Sequence, residues 1–141
     1  MRASFLTQVA LATAVAAMTA ASGARADDKK AEQKFCSNVV AADTNLSQLE
    51  GMVDSATVGQ VHATTARIES NTTEMKKATK KMKTPAGQHF EDAVGQLNKE
   101  VSGISSDDAL AKAREKVKSN AREAQSAAKE LANEASCPTT P

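Results

Sequence analysis

The feature that most constrains this chain is a set of four apolar runs stepping by alternating threes and fours. The first places Phe35, Val39, Ala42, Leu46, Leu49 and Val53 at steps of 4, 3, 4, 3 and 4. The second runs Val58, Val61, Thr65, Ile68, Thr72, Met75, Thr79 and Met82, and the third Phe90, Val94, Leu97, Val101 and Ile104. The fourth, built largely on alanine, is Val117, Ala121, Ala124, Ala128, Leu131 and Ala135, with Leu110 and Ala113 as a looser beginning. A period of 3.5 keeps one stripe of an α-helix facing a partner, whereas strands need a period of two.

Punctuation falls between the runs. Thr57-Val58-Gly59-Gln60 reads as a capping box opening the second helix. Thr84-Pro85 supplies an N-cap followed by a proline at the first helical position. Gly103-Ile104 suits a C-terminal stop with the glycine left-handed and the isoleucine folded back. Ser105-Ser106-Asp107-Asp108 restarts the chain with carboxylates in the electropositive first turn. The expected helices span about 29–54, 58–83, 85–103 and 106–136. Links this short between long helices make neighbours antiparallel, so the expected architecture is an all-α, up-down-up-down four-helix bundle.

Met1–Ala26 reads as a cleavable signal peptide: Arg2, an Ala-rich apolar run from Phe5 to Ala21, then Ala24-Arg25-Ala26. That run is too short and alanine-rich for a permanent span, so no transmembrane segment is expected in the mature chain. The domain then covers 27–137, with 138–141 as a tail. Export to the periplasm or the medium makes Cys36 and Cys137 readable as a disulfide. The topology agrees, because an up-down-up-down bundle returns the end of helix four to the start of helix one.

Without Arg2 and Arg25 the chain carries 16 basic and 17 acidic residues, so the global charge expected of a nucleic-acid-binding domain is missing. Two Phe and no Trp or Tyr in the mature part provide no base-stacking platform. Ile, Leu, Val and Phe make up only 17 of its 115 residues, a disorder-like fraction, but the charges cancel and the heptads argue for folding.

No catalytic, cofactor or metal site is expected. His62 and His89 begin antiparallel helices at opposite ends, roughly 25 Å apart at 1.5 Å per residue, too far to share a metal. Neither lies in a Glu-x-x-His pair, and Cys-x-x-Cys-His and His-Glu-x-x-His are absent from the sequence. Phe90–Leu97 is similar to the third helix of cytochrome b562. That family's haem needs a Met near the first helix's start and a His near the last helix's end. Ala31–Val40 and Ala124–Ser136 contain neither. Met75 and Met82 sit at core heptad positions, as fillers rather than copper ligands. The sequons at Asn45 and Asn71 fall beside seam positions inside helices and carry no default meaning in bacterial export.

Two features suggest interaction. Thr65, Thr72 and Thr79 put hydroxyls along a seam shared with Met75 and Met82, read either as a weakly apolar edge or as a groove for an apolar partner. Lys76, Lys77, Lys80, Lys81 and Lys83 form the densest charge run, read as matched to Glu130, Glu134, Asp27 and Asp28 or as a patch for an anionic partner. A second basic stretch, Lys112, Arg114, Lys116, Lys118 and Arg122, is expected to meet Glu50, Asp54 and Glu100.

The frame of Phe35-Cys36 and Cys137 resembles the small exported helical proteins of bacteria in which a Phe-Cys pair opens the first helix and a Cys closes the last. Those proteins mostly have no assigned activity, so the resemblance carries no catalytic residues across. The expectation is a non-enzymatic interaction or scaffold protein, monomer or homodimer, whose partner is a protein or an anionic envelope surface. The alternatives are a holdase that exposes seam surface to unfolded clients and a carrier of a haem-like ligand in the core.

Overall fold

The computed structural model describes residues 21–138, with side chains from Arg25 onward. Most of the expected leader, and Thr139–Pro141 of the tail, lie outside the described residues. Four helices follow one another: α1 (Ala21–Met52), α2 (Val58–Ala78), α3 (Pro85–Ser102) and α4 (Asp107–Glu134), with a 3₁₀ turn, η1 (Lys80–Lys83), between α2 and α3.

Each helix packs on the next, and α4 closes back on α1. Cross-helix pairs give the directions. Cys36 meets Cys137 while Glu50 meets Arg122, so α1 and α4 are antiparallel. Lys34 reaches Glu74 while Thr64 reaches Met52, His62 meets Ile104 while Lys76 meets Glu91, and His89 meets Glu130 while Glu100 meets Lys116. The expected up-down-up-down bundle is therefore the observed one, and the disulfide joins its two terminal helices.

The heptads supply the core. All six seam residues of the first run are within 2 % of full burial, and Phe90, Leu97, Ile68, Met75, Leu110 and Leu131 are buried with them. Thr57 forms the capping box, accepting from the Gln60 amide at 3.3 Å while its own amide donates to Gln60 Oε1 at 2.9 Å. Thr84 Oγ1 accepts from the Gly87 amide and Ser106 Oγ from the Ala109 amide, each at 3.2 Å.

Three expectations need correction. Helix α1 is already formed at Ala21, the first described residue, rather than starting near 29, in an alanine-rich stretch with few helix-opposing residues, and residues 25–30 along it are exposed. Helix α2 stops at Ala78, not at 83. Thr79 adopts extended dihedrals (φ −148°, ψ 169°) and its hydroxyl accepts from the Lys81 amide, starting η1. A continuous helix would stack Lys76 on Lys80 and Lys77 on Lys81, like charges one turn apart that oppose helix formation. Gly103 is right-handed (φ −79°, ψ −8°) rather than left-handed. The last turn of α3 tightens instead, with Gly103 donating to Glu100 and Ile104 to Val101, and Ile104 still folds into the core.

The left-handed residue is Ser136 (φ 55°), just past α4. Its amide donates to Asn133 O at 3.1 Å, and the Cys137 amide donates to Ala132 O at 2.9 Å. This paired 5→2 and 6→1 pattern is a Schellman motif. It swings Cys137 back across the helix end, to a Cα–Cα distance of 5.3 Å from Cys36.

Candidate interaction surface

The five lysines expected to act together are divided by the structure. Lys76 pairs with Glu91 of α3, and Lys77 with Glu74 at 3.1 Å. Lys81 reaches Glu32 of α1 at 3.2 Å and donates to the free carbonyl of Ala135 at 3.2 Å, so it ties η1 to both terminal helices. The acidic partners are thus Glu91, Glu74 and Glu32, and the ion pairs among the described residues do not join these lysines to Glu130, Glu134, Asp27 or Asp28. Glu130 instead meets His89 Nδ1 at 3.1 Å. Lys80 and Lys83 are exposed on η1 and have no carboxylate within 4.0 Å among the described residues. Of the three paired lysines, Lys76 and Lys81 join different elements, whereas Lys77 bonds within α2, and Lys80 and Lys83 lie past the break at Thr79.

Glu74 also accepts from Lys34 at 2.7 Å, and these two ammonium groups hold its carboxyl below the usual range, Lys34 acting most strongly. The second basic stretch pairs as expected in three places: Lys118 with Asp54 and Arg122 with Glu50, each at 2.6 Å, and Lys116 with Glu100 at 3.3 Å. The bond to Glu50 raises the already high pKa of Arg122 further.

The hydroxyl-bearing seam faces inward. Thr65, Thr72, Met75 and Met82 are buried, and Thr79 is half-buried at the break in α2. Thr65 donates to Val61 O and Thr72 to Ile68 O, both at 2.9 Å, so the hydroxyls are satisfied within their own helix. A partner touches this seam only if the bundle opens. His62 and His89 lie at opposite ends, His62 Nε2 being 2.8 Å from Ile104 O. Among the described residues no group of three or more His, Cys, Asp or Glu side chains is placed to hold a metal ion.

Two features escaped the sequence reading. Asn45 donates to Asn71 and Asn71 to Asn38, both at 3.1 Å, an amide ladder that fixes the register of α1 against α2. Asn38, Asn45 and the adjoining turns follow a seven-residue spacing, which is the signal that was present. The other feature is a crevice between α1 and α4 at the disulfide end. One hollow, of about 620 Å³, is walled by residues including Cys36, Val40, Ala135 and Pro138. A second, of about 350 Å³, adjoins it beside Val39, Asp43, Ala128 and Ala132. Val40, 36 % exposed, lies on both walls. Alanines leave this crevice shallowly filled, a consequence of composition rather than of any motif.

Comparison of the chain with protein-family models, with curated proteins and with solved structures returns no match. What the fold itself defines is a four-helix bundle clasped by one disulfide between its terminal helices.

Proposed function

We propose that this chain is an exported, non-enzymatic interaction protein that docks on an anionic surface of the cell envelope through the η1 end of its bundle. Lys80 and Lys83 are the leading contacts, with Lys76 and Lys77 beside them. The observation that carries this reading is the division of the lysine run: three lysines are held in bonds within the bundle while Lys80 and Lys83 stay exposed without a carboxylate partner among the described residues. Unpaired ammonium groups gathered at one end attract phosphate-bearing surfaces by a force that salt screens within about 10 Å at 0.1 M. The disulfide and the leader pattern support export. Among the described residues no helix is long and apolar enough to cross a membrane, which fits attachment at a surface.

The test is co-sedimentation with vesicles of phosphatidylethanolamine and phosphatidylglycerol in a 3:1 ratio. Binding is expected at 50 mM salt and is expected to fall at least tenfold at 500 mM or in the Lys80→Ala/Lys83→Ala variant. The Lys99→Ala/Lys112→Ala variant, altered elsewhere on the bundle, should bind normally. Equal binding by both variants, or none by the unaltered protein, contradicts the proposal.

A further inference from the structure

We propose that the Cys36–Cys137 disulfide is a reductively opened latch on the end of α4, whose release lifts the last turns of that helix from α1 while the rest of the bundle stays folded. The inference rests on how unevenly α4 is anchored. Up to Arg122 it is fixed by Leu110 and Val117 in the core and by three ion pairs, to Asp54, Glu50 and Glu100. From Ala124 onward the buried helix residues are Ala124, Ala127, Ala128 and Leu131, a single side chain larger than alanine. Beyond alanine packing, the polar ties of this segment to other elements among the described residues are the exposed His89–Glu130 pair and the Lys81 bond to the Ala135 carbonyl. The other elements meeting at this end carry Phe35, Met75, Met82 and Phe90, all buried. Apolar burial scales with side-chain area, so the end of α4 is the segment that depends most on its covalent tie.

The two cysteines are not equally exposed. Cys36 is half-buried and walls the 620 Å³ hollow, whereas Cys137 is 8 % exposed beneath the Schellman turn. A dithiol reductant entering the hollow therefore attacks Cys36. Its thiolate forms a mixed disulfide with Cys36 Sγ as the protein S–S bond breaks, and the electron pair leaves on Cys137 Sγ, which takes up a proton. The reductant's second thiol then displaces Cys36, closing the reductant's own disulfide. The protein gains two electrons and two protons, and the reductant loses them. With the latch open, Val39 of α1 and Leu131 of α4 become accessible, an apolar surface that the oxidised form keeps covered.

Hydrogen exchange of the purified protein, oxidised and after dithiothreitol, tests the latch, with Cys36→Ser/Cys137→Ser as a variant that needs no reductant. Amides of residues 125–137 are expected to exchange at least tenfold faster in both opened forms, while those of 58–75 and 90–101 change less than twofold. Unchanged protection along α4, or loss of protection in all four helices together, overturns the proposal. A brief glutathione pulse followed by alkylation tests the direction of attack. At least a tenfold excess of the glutathione adduct on Cys36 over Cys137 is expected, and the reverse preference overturns the route through the hollow.

Discussion

Gly87 lies directly on the backbone of Met82: a Cβ added to the glycine would sit 2.5 Å from Met82 Cα and 2.6 Å from its carbonyl carbon and oxygen. The contact lets α3 start while η1 folds underneath it, with Met82 delivered to the core although its helix has ended. Backbone atoms cannot step aside as a side-chain tip can, so the fit depends on a residue without a side chain.

Gly87→Ala is accordingly expected to destabilise by about 1–3 kcal/mol, the usual range for overpacking. Gly95→Ala supplies the contrast. It lies within α3 with nothing within 4 Å of the added carbon, so the same change should stabilise by up to ~1 kcal/mol through helix propensity. Urea unfolding of the two variants should show opposite signs.

Ser136 holds a left-handed conformation at the end of α4, with φ 55°. Such a conformation costs an ordinary residue about 1 kcal/mol or more and glycine little. Ser136→Gly should therefore raise stability by about 0.5–1 kcal/mol, measured by thermal unfolding with the disulfide intact. A fall in stability would show that the serine's own side chain contributes to the turn.

Asn71 donates to Asn38 and accepts from Asn45, and is the centre of the contact between α1 and α2. Asn71→Ala should cost about 1–2 kcal/mol, because it removes two bonds and leaves half-buried amides short of a partner. A double-mutant cycle with Asn45→Ala should return a coupling of about 0.5–1.5 kcal/mol, whereas strict additivity would remove the ladder from the account.

The carboxyl of Glu74 is held below its ordinary value by Lys34 and Lys77. A carboxylate depressed in the folded state stabilises fully above its unfolded pKa, and that contribution is lost as pH falls through the folded one. Glu74→Gln should lower the Tm slightly at pH 7, by an amount that salt reduces, and match the unaltered protein once the pH is below the depressed value. A difference that persists in strong acid would mean that the glutamine perturbs packing rather than charge.

The architecture was legible because heptads encode it twice, in the residues buried and in the breaks between runs. Phe35 through Val53 and Phe90 through Ile104 are buried at every expected position. Periodicity also placed Met82 in the core but could not show that α2 stops at Ala78, that Thr79 is extended and that a separate 3₁₀ turn carries Met82 inward. The charge partners of Lys116, Lys118 and Arg122 followed from antiparallel register alone. That of Lys81 did not, because the break at Thr79 shifts η1 relative to a straight helix, while Lys76 and Lys77, still within α2, pair with nearer carboxylates on α3 and on their own helix. The asparagine ladder was hidden for a different reason: three amides spaced along two helices become one feature only after the helices are docked.

The central claim is that one covalent link between Cys36 and Cys137 closes the bundle, and denaturant unfolding of the oxidised protein against Cys36→Ser/Cys137→Ser tests it most directly. The enclosed loop joins residues separated by 101 positions. Removing a link of that span should lower the unfolding free energy by about 4–5 kcal/mol in the chain-entropy description. Equal stability of the two proteins, within about 1 kcal/mol, would contradict the account and leave the helices held by their heptads alone.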